Sequence, residues 1–308
     1  MATLIAASRA SPGQPQVLIV EEAAPALLTA LADPAGPGPP PAIIYDPELG
    51  RQPQRLATAL GDAHAAALIV RNRTRVDAAL LEAAPALRVV GRLGSGLDNI
   101  DLTAAQRRGV TVVYAPWANS VSVAEHALAL ILALAKRLPE LDASCRQGRW
   151  ARQRAGSELR GRTLGILGYG AVGRHLARMA AALGLKVLTH HPRRGPDHPD
   201  LAVAGVIWVD ADELLKRSEI LSVHLPERDD TRGYLNEERL RLLPPGALVV
   251  NTGRGAVLDE AALARLIQAG HLGGAALDVR AQEPPPEPDP LVACGSRVIL
   301  TPHVAGFT

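Results

Sequence analysis

The chain has 308 residues, a length that suits two domains, and 47% of them are hydrophobic while only 3% are aromatic, so any core must be built from Ala, Val, Leu and Ile. Lys and Arg total 33 against 31 acidic residues, a near-balance that argues against a general nucleic-acid surface and leaves room only for local anion sites. Cys145 and Cys294 form neither a metal-type spacing nor a disulfide framework, which points to a reduced, cytoplasmic setting; the apolar run 127–135 is about half a membrane span, so no membrane partner is expected.

The opening "MATLIAASRASPG" has a short apolar run with no basic segment before it, a poor signal peptide. In chain order, 15–22 reads as a buried strand, "PALLTALA" as a helix and 42–46 as a second strand, with a Pro- and Gly-rich loop between. Residues 54–63 read as helix, 66–71 as strand, "DAALLEAAPAL" as helix and 88–94 as strand. This alternation predicts a parallel sheet covered by helices. A second series begins after residue 116. Ser122 and Glu125 form a capping-box pattern that predicts a helix running to about Arg137 and stopped by Pro139. The Arg-rich stretch 145–162 reads as loop and short helix. From Thr163 the strand–helix rhythm resumes, with a helix over 172–183 closed by Gly184, a helix over 260–269 closed by Gly270, and strands in "KVLTH", "ILSVHL", "ALVVNT", "GGAALDV" and "RVILTP". Two α/β domains result.

The first chemical signal is Gly168-Tyr169-Gly170-Ala171-Val172-Gly173, which follows an apolar strand and opens a helix. That context supports a dinucleotide site: Gly168 for the tight turn, Gly170 for close approach to a pyrophosphate, Gly173 for helix–strand packing, with the helix N-terminus facing the phosphates. The next strand should end in an acid if it is to hold the ribose 2′-hydroxyl of NAD; instead it ends at His191, followed by Arg193 and Arg194. A histidine does not repel a 2′-phosphate and either arginine can pair with one, so NADP(H) is favoured over NAD(H).

The second signal is a set of residues that each follow the carboxyl end of a strand, where ligands of open α/β sheets bind. Arg254 lies between Gly253 and Gly255; Glu283 follows the strand ending near Asp278; His303 follows "VILTP". A histidine with a carboxylate partner is suited to proton transfer, and an arginine can hold a carboxylate through two parallel hydrogen bonds. The set is equipment for proton transfer on a carboxylate-bearing substrate beside a nicotinamide. Arg71, Arg73 and Arg75 would share one face if extended, and with Arg92 they could take a second anion such as a phosphate or sulfonate.

These residues stand in a run of motifs: 89–102, 119–140, the Gly168 loop, "VHLPERDDTRG", "NTGRGAVLDEAAL", "ALDVRAQEPP" and "TPHVAG". In that order they resemble the D-isomer-specific 2-hydroxyacid dehydrogenases, the family of phosphoglycerate dehydrogenases and glyoxylate/hydroxypyruvate reductases. The resemblance implies two Rossmann-like domains with parallel sheets and the active site in the cleft between them: a substrate domain over 1–116, a nucleotide domain over 117–302, and 303–308 as the start of a return to the first domain, apparently cut short. It implies that Arg254 binds the substrate carboxylate together with Ser95 and Gly96, and that His303 is the acid/base held protonated by Glu283; Arg71 is a substrate-binding candidate from its own place near a strand end facing the cleft. Thr74, Ala171, Val172, Thr252, Gly253 and Asp278 match cofactor-contacting positions. A homodimer is implied, with Trp150 in its interface region, and a small 2-oxo or 2-hydroxy acid as the partner molecule. Two departures stand out: Arg280 occupies a position that is usually aromatic or apolar, and position 191 lacks the acid. A cofactor-sensing binding protein of the corepressor type, which shares this fold, is the alternative. A formate dehydrogenase is disfavoured because that family has Gln where Glu283 stands.

Overall fold

The computed structural model describes residues 14–33, 39–154, 156–191 and 205–307. The chain divides into two units, Met1–Ala118 and Asn119–Thr308. In the first, β1 (Gln16–Ile19), β2 (Ala42–Tyr45), β3 (Ala67–Val70), β4 (Val89–Arg92) and β5 (Thr111–Tyr114) form a parallel sheet in the order β2-β1-β3-β4-β5. The helices are α1 (Pro25–Ala32), α2 (Pro53–Asp62), α3 (Ala78–Ala83) and α4 (Leu102–Arg107). Two of them start on side-chain caps, Asp77 accepting from the Leu80 N–H and Asp101 from the Ala104 N–H, which satisfies donors the helix cannot satisfy itself. Leu18, Leu56, Leu60, Leu68, Leu81 and Val90 fill the core between sheet and helices.

The second unit begins with α5 (Ser120–Ala135) and α6 (Leu138–Arg146). Its sheet contains β6 (Thr163–Leu167), β7 (Lys186–His190), β8 (Val206–Trp208), β9 (Ile220–Val223), β10 (Leu248–Asn251), β11 (Gly274–Leu277) and β12 (Val298–Leu300), all parallel, in the order β12-β11-β10-β9-β6-β7-β8. Its remaining helices are α7 (Ala171–Ala182), α8 (Ala211–Arg217), α9 (Glu237–Leu240) and α10 (Glu260–Gln268). β9 and β10 are buried at every residue, as expected of strands covered on both faces. One core cluster packs α10 residues Leu263, Leu266 and Ile267 against Leu221, Val249 and Leu277. The other packs α5 residues Ala127, Leu130 and Ile131 against Ile166, Leu176 and Ile220. Strand order reverses between β6 and β9, so their carboxyl ends flank the crevice in which such sheets bind ligands.

Several local expectations differ from the structure. α5 starts at Ser120 after Asn119 rather than at a Ser122 cap, and it ends at Ala135 because Arg137 takes a left-handed φ of 55°. Pro139 does not stop that helix; it lies in the first turn of α6, where its missing N–H costs nothing. α6 occupies residues 138–146 and leaves 156–159 as irregular chain. The segment after β3 is a bend rather than a strand extension, so Arg71, Arg73 and Arg75 do not share an extended face. No helix among the described residues is long and apolar enough to cross a membrane. Cys145 and Cys294 are both free thiols, the first exposed and the second buried.

Ile166→Ala empties a fully buried position in β6 and should cost about 2–5 kcal/mol. Leu183→Ala, at a residue 43% exposed, should change stability by about 0.5 kcal/mol or less. Urea unfolding of both variants measures the contrast.

Candidate active site

The Gly168 loop sits at the reversal point of the second sheet. Gly168 has φ +103°, a left-handed conformation that favours glycine, and a Cβ there would come within 2.8 Å of the His224 main chain. At Gly173 a Cβ would come within 2.6 Å of the Gly168 carbonyl, so the third glycine is what lets α7 approach β6. Gly170 is the N-cap of α7 and supplies no side-chain cap, and a Cβ there would meet nothing within 4 Å. The first-turn N–H groups at Ala171 and Val172 have no partner within the helix and lie at the positive end of a 12-residue helix. This is a fit for a pyrophosphate.

His224 underlies this loop. Its N–H donates to the Leu167 carbonyl at 2.8 Å, and its ring bridges the Ser222 hydroxyl (Nε2, 2.9 Å) and the Thr252 hydroxyl (Nδ1, 3.3 Å). Burial pushes its pKa down to about 4, so the ring is neutral at ordinary pH. Thr252 is 7% exposed. Gly253 follows, and a Cβ on it would lie 2.9 Å from the Leu225 carbonyl.

The Arg254 loop is shaped by Asn251 at the end of β10. Its Oδ1 accepts the Gly253 N–H at 3.0 Å and its Nδ2 donates to the Arg254 carbonyl at 3.1 Å. The Arg254 guanidinium donates to the Gly253 carbonyl at 2.8 Å. After β11, Asp278 is 1% exposed and acts as an acceptor for the turn that carries His303. Its carboxylate accepts the Thr301 hydroxyl at 2.5 Å, the Val304 N–H at 3.0 Å and the Ala305 N–H at 2.9 Å, while its carbonyl accepts the His303 N–H at 2.8 Å. His126, on α5, reaches the same cluster, with Nε2 at 3.2 Å from the Thr301 hydroxyl and 3.6 Å from the Asp278 carboxylate. His303 itself has φ 56°, uncommon for a residue with a side chain, and these bonds hold it there. Its Nδ1 lies 2.8 Å from Glu283 Oε2. Burial alone would raise the Glu283 carboxyl, but the hydrogen bond to His303, the Arg280 N–H on its other oxygen and the charge of Arg254 outweigh it, and the carboxyl is held below its ordinary range. Arg254, Glu283 and His303 thus form one electrostatic group within the second unit.

The first-unit candidates have their own setting. Glu21, 1% exposed, accepts the N–H groups of Arg71 (2.9 Å), Arg73 (3.2 Å) and Thr74 (2.9 Å). Asn99 donates to the carbonyls of Arg71 and Thr74. Arg73 is paired with Glu21 and Glu22, so its charge is already engaged. Thr74 is 1% exposed, its hydroxyl packed where a Cβ on Gly50 would stand. Ser95 is exposed and Gly96 half-buried in the bend after β4. His191 follows the last residue of β7 and is half-buried. Arg193 and Arg194 lie outside the described residues. His126, His224, Asn251 and Glu21 were not singled out from the sequence. A short polar residue at a strand end, as in "VVNTG" or "SVHLP", is the signal that marks two of them.

Residues 128–305 match the D-isomer specific 2-hydroxyacid dehydrogenase, NAD binding domain, and the chain belongs to that family. A D-3-phosphoglycerate dehydrogenase of Mycobacterium bovis is 41% identical over 295 residues, which are 96% of this chain and 53% of the relative; the chain spans about half the length of the curated relatives it matches. Among solved structures, the TT0316 protein of Thermus thermophilus superposes with a TM-score of 0.85 at 32% identity, covering 95% of this chain and 90% of that one. The D-lactate dehydrogenase of Aquifex aeolicus, complexed with NAD and lactic acid, gives 0.81 at 30% identity, covering 95% and 89%. The two relatives named for an activity are dehydrogenases, which leaves the binding-protein alternative without support from them.

Glu283→Gln should weaken the fold in a pH-dependent way. A depressed folded-state carboxyl contributes stability above its unfolded value, and that contribution is lost as pH falls through the folded value. Wild type should therefore exceed the variant in unfolding free energy near neutral pH, and the two should converge below the ordinary carboxyl range of about 4. Unfolding curves across that range read the difference.

Proposed function

We propose that the chain transfers a hydride between a nicotinamide dinucleotide and C2 of a small D-2-hydroxy or 2-oxo acid. The observation that carries this is the 2.8 Å contact between His303 Nδ1 and Glu283, with the Arg254 charge acting on the same carboxylate. Gly168, Gly170, Ala171, Val172 and Gly173 would hold the pyrophosphate, with Thr252, Gly253 and Asp278 nearby in the same unit. When bound, the dinucleotide supplies the hydride chemistry. In the reducing direction, His303 gives a proton from Nε2 to the oxygen that gains charge at C2, while Glu283, 2.8 Å from Nδ1, fixes the ring orientation. Arg254 orients the 2-oxo acid through its carboxylate. In the oxidising direction His303 takes the proton back. Ser95, Gly96 and Thr74 are assigned to substrate and cofactor by resemblance alone, and Arg71 to substrate by its place directly after β3.

The same reading takes NADP(H) in preference to NAD(H), because His191 stands where an acid would repel a 2′-phosphate. It also takes a cytoplasmic setting, supported by two free thiols, and a homodimer, supported by Trp150 at 78% exposure and Leu138 at 53% on the second unit. Sedimentation velocity tests the dimer.

With a panel of 2-oxo acids, His303→Ala should lower kcat by roughly 10²- to 10⁴-fold. Arg254→Ala should in addition raise KM for the acid strongly, since the carboxylate loses its charged partner. Wild-type kcat/KM in either variant would show the assignment to be wrong.

The ratio of kcat/KM for NADPH over NADH should exceed one in the wild type and fall by roughly tenfold or more in Arg193→Ala/Arg194→Ala. An NADH preference, or a ratio unmoved by the double change, contradicts the cofactor choice.

A further inference from the structure

Glu283 sits in a stretch, residues 281–288, that is exposed throughout. Such loops sample many conformations unless tied down, yet an acid–base pair needs its carboxylate held to a fraction of an ångström. The tie lies in Arg280. Its guanidinium is 8% exposed and meets two carboxylates. Nη1 and Nη2 donate to Asp289 in a two-pronged contact at 2.7 and 3.0 Å, and Nε and Nη2 donate to Glu260 Oε2 at 3.1 and 2.8 Å.

Each anion is itself anchored. Glu260, in the first turn of α10, also accepts the Ala281 N–H at 2.7 Å. Asp289 accepts the N–H of Leu291, a fully buried residue, at 3.0 Å. The Arg280–Asp289 contact therefore closes the exposed loop at its two ends, and Glu260 fixes the closure to a helix. The main chain of Arg280 faces the site. Its N–H donates to Glu283 Oε1 at 3.0 Å, leaving Oε2 for His303. A Cβ on Gly255 would collide with the Arg280 carbonyl group, so the loop carrying Arg254 packs directly on the same peptide.

We propose that Arg280 is a positioning residue for the acid–base pair: its clamp on Glu260 and Asp289 holds the 280–283 turn so that the Arg280 N–H and His303 together fix the Glu283 carboxylate. The inference rests on the functional reading only in taking Glu283 and His303 as the working pair. The charged groups that act on Glu283 are His303 after β12, Arg254 after β10 and, through the main chain, the clamp. Breaking the clamp frees Glu283 from the Arg280 N–H and loosens its contact with His303, so its carboxyl titrates nearer the ordinary range.

The experiment follows Glu283 by carboxyl-carbon NMR in the full chain for wild type, R280K and E260Q/D289N, with E237Q as a control that breaks surface pairs to Arg241 and Arg265. R280K keeps a charge but loses the planar fork; E260Q/D289N keeps the arginine and removes both anions. Expected is an upward move of the Glu283 titration by about half a pKa unit or more in both clamp variants, with E237Q overlaying wild type. In turnover of a 2-oxo acid, kcat should fall about fivefold or more while KM for the dinucleotide changes less than about twofold. A lowered Tm with a Glu283 titration that overlays wild type in both variants would make the clamp merely structural and overturn the proposal. If R280K does not fold, E260Q/D289N alone decides by the same criterion. If the titration moves but no 2-oxo acid is turned over by wild type, the functional reading fails and the clamp stands.

Discussion

The carboxylate of Asp278 is the constraint on which the turn carrying His303 rests. It is buried, and a buried anion is costly unless its lone pairs are filled. Here they are filled by Thr301, Val304 and Ala305, all in the turn that carries His303. The dependence runs both ways: the turn supplies the donors that make the anion tolerable, and the anion holds the turn in a backbone region that a histidine would not choose alone. His126 adds a link from α5, so the geometry of His303 is tied to the helix that packs across β10 and β11.

The same logic recurs at each strand end. Asn251 folds the Arg254 loop back onto its own strand, and Glu21 gathers the N–H groups that follow β3 in the first unit. In each case one buried polar side chain at the end of a strand accepts several main-chain N–H groups of a loop, or bridges its donors and acceptors. Backbone groups in a loop cannot be left unpaired near a core, and a carboxylate or amide at the strand end is the shortest way to pair them. The charged residues beyond are then presented on loops whose paths are already determined.

Much of this was legible in the sequence. The apolar strands of the second unit, the Gly168 loop and the trio of Arg254, Glu283 and His303 carry strong local signals, because parallel strands buried on both faces read as continuous apolar runs and a tight phosphate turn demands glycine. Other parts left weaker marks. α4 and β5 are short, and β5, though apolar at three of its four residues, leaves Val113 and Tyr114 exposed, so its apolar run does not mark burial. The α5–α6 break depends on a left-handed Arg137, which no propensity predicts. Arg71, Arg73 and Arg75 looked like a cationic face, but the bend after Val70 and the ion pairs of Arg73 are tertiary facts. Arg280 was visible only as a residue out of place; its partners Glu260 and Asp289 are 20 and 9 positions away, and folding alone brings them together.

His224 has a consequence of another kind. A neutral imidazole between two hydroxyls donates through one nitrogen and accepts through the other, so Ser222, His224 and Thr252 form a chain with a direction. Reversing it shifts every proton along the chain and moves no heavy atom. The Thr252 hydroxyl is thereby not committed to giving or receiving a hydrogen bond on its outward side. A rigid heavy-atom frame with a reversible proton polarity can meet a neighbour of either character without repacking the loop around it.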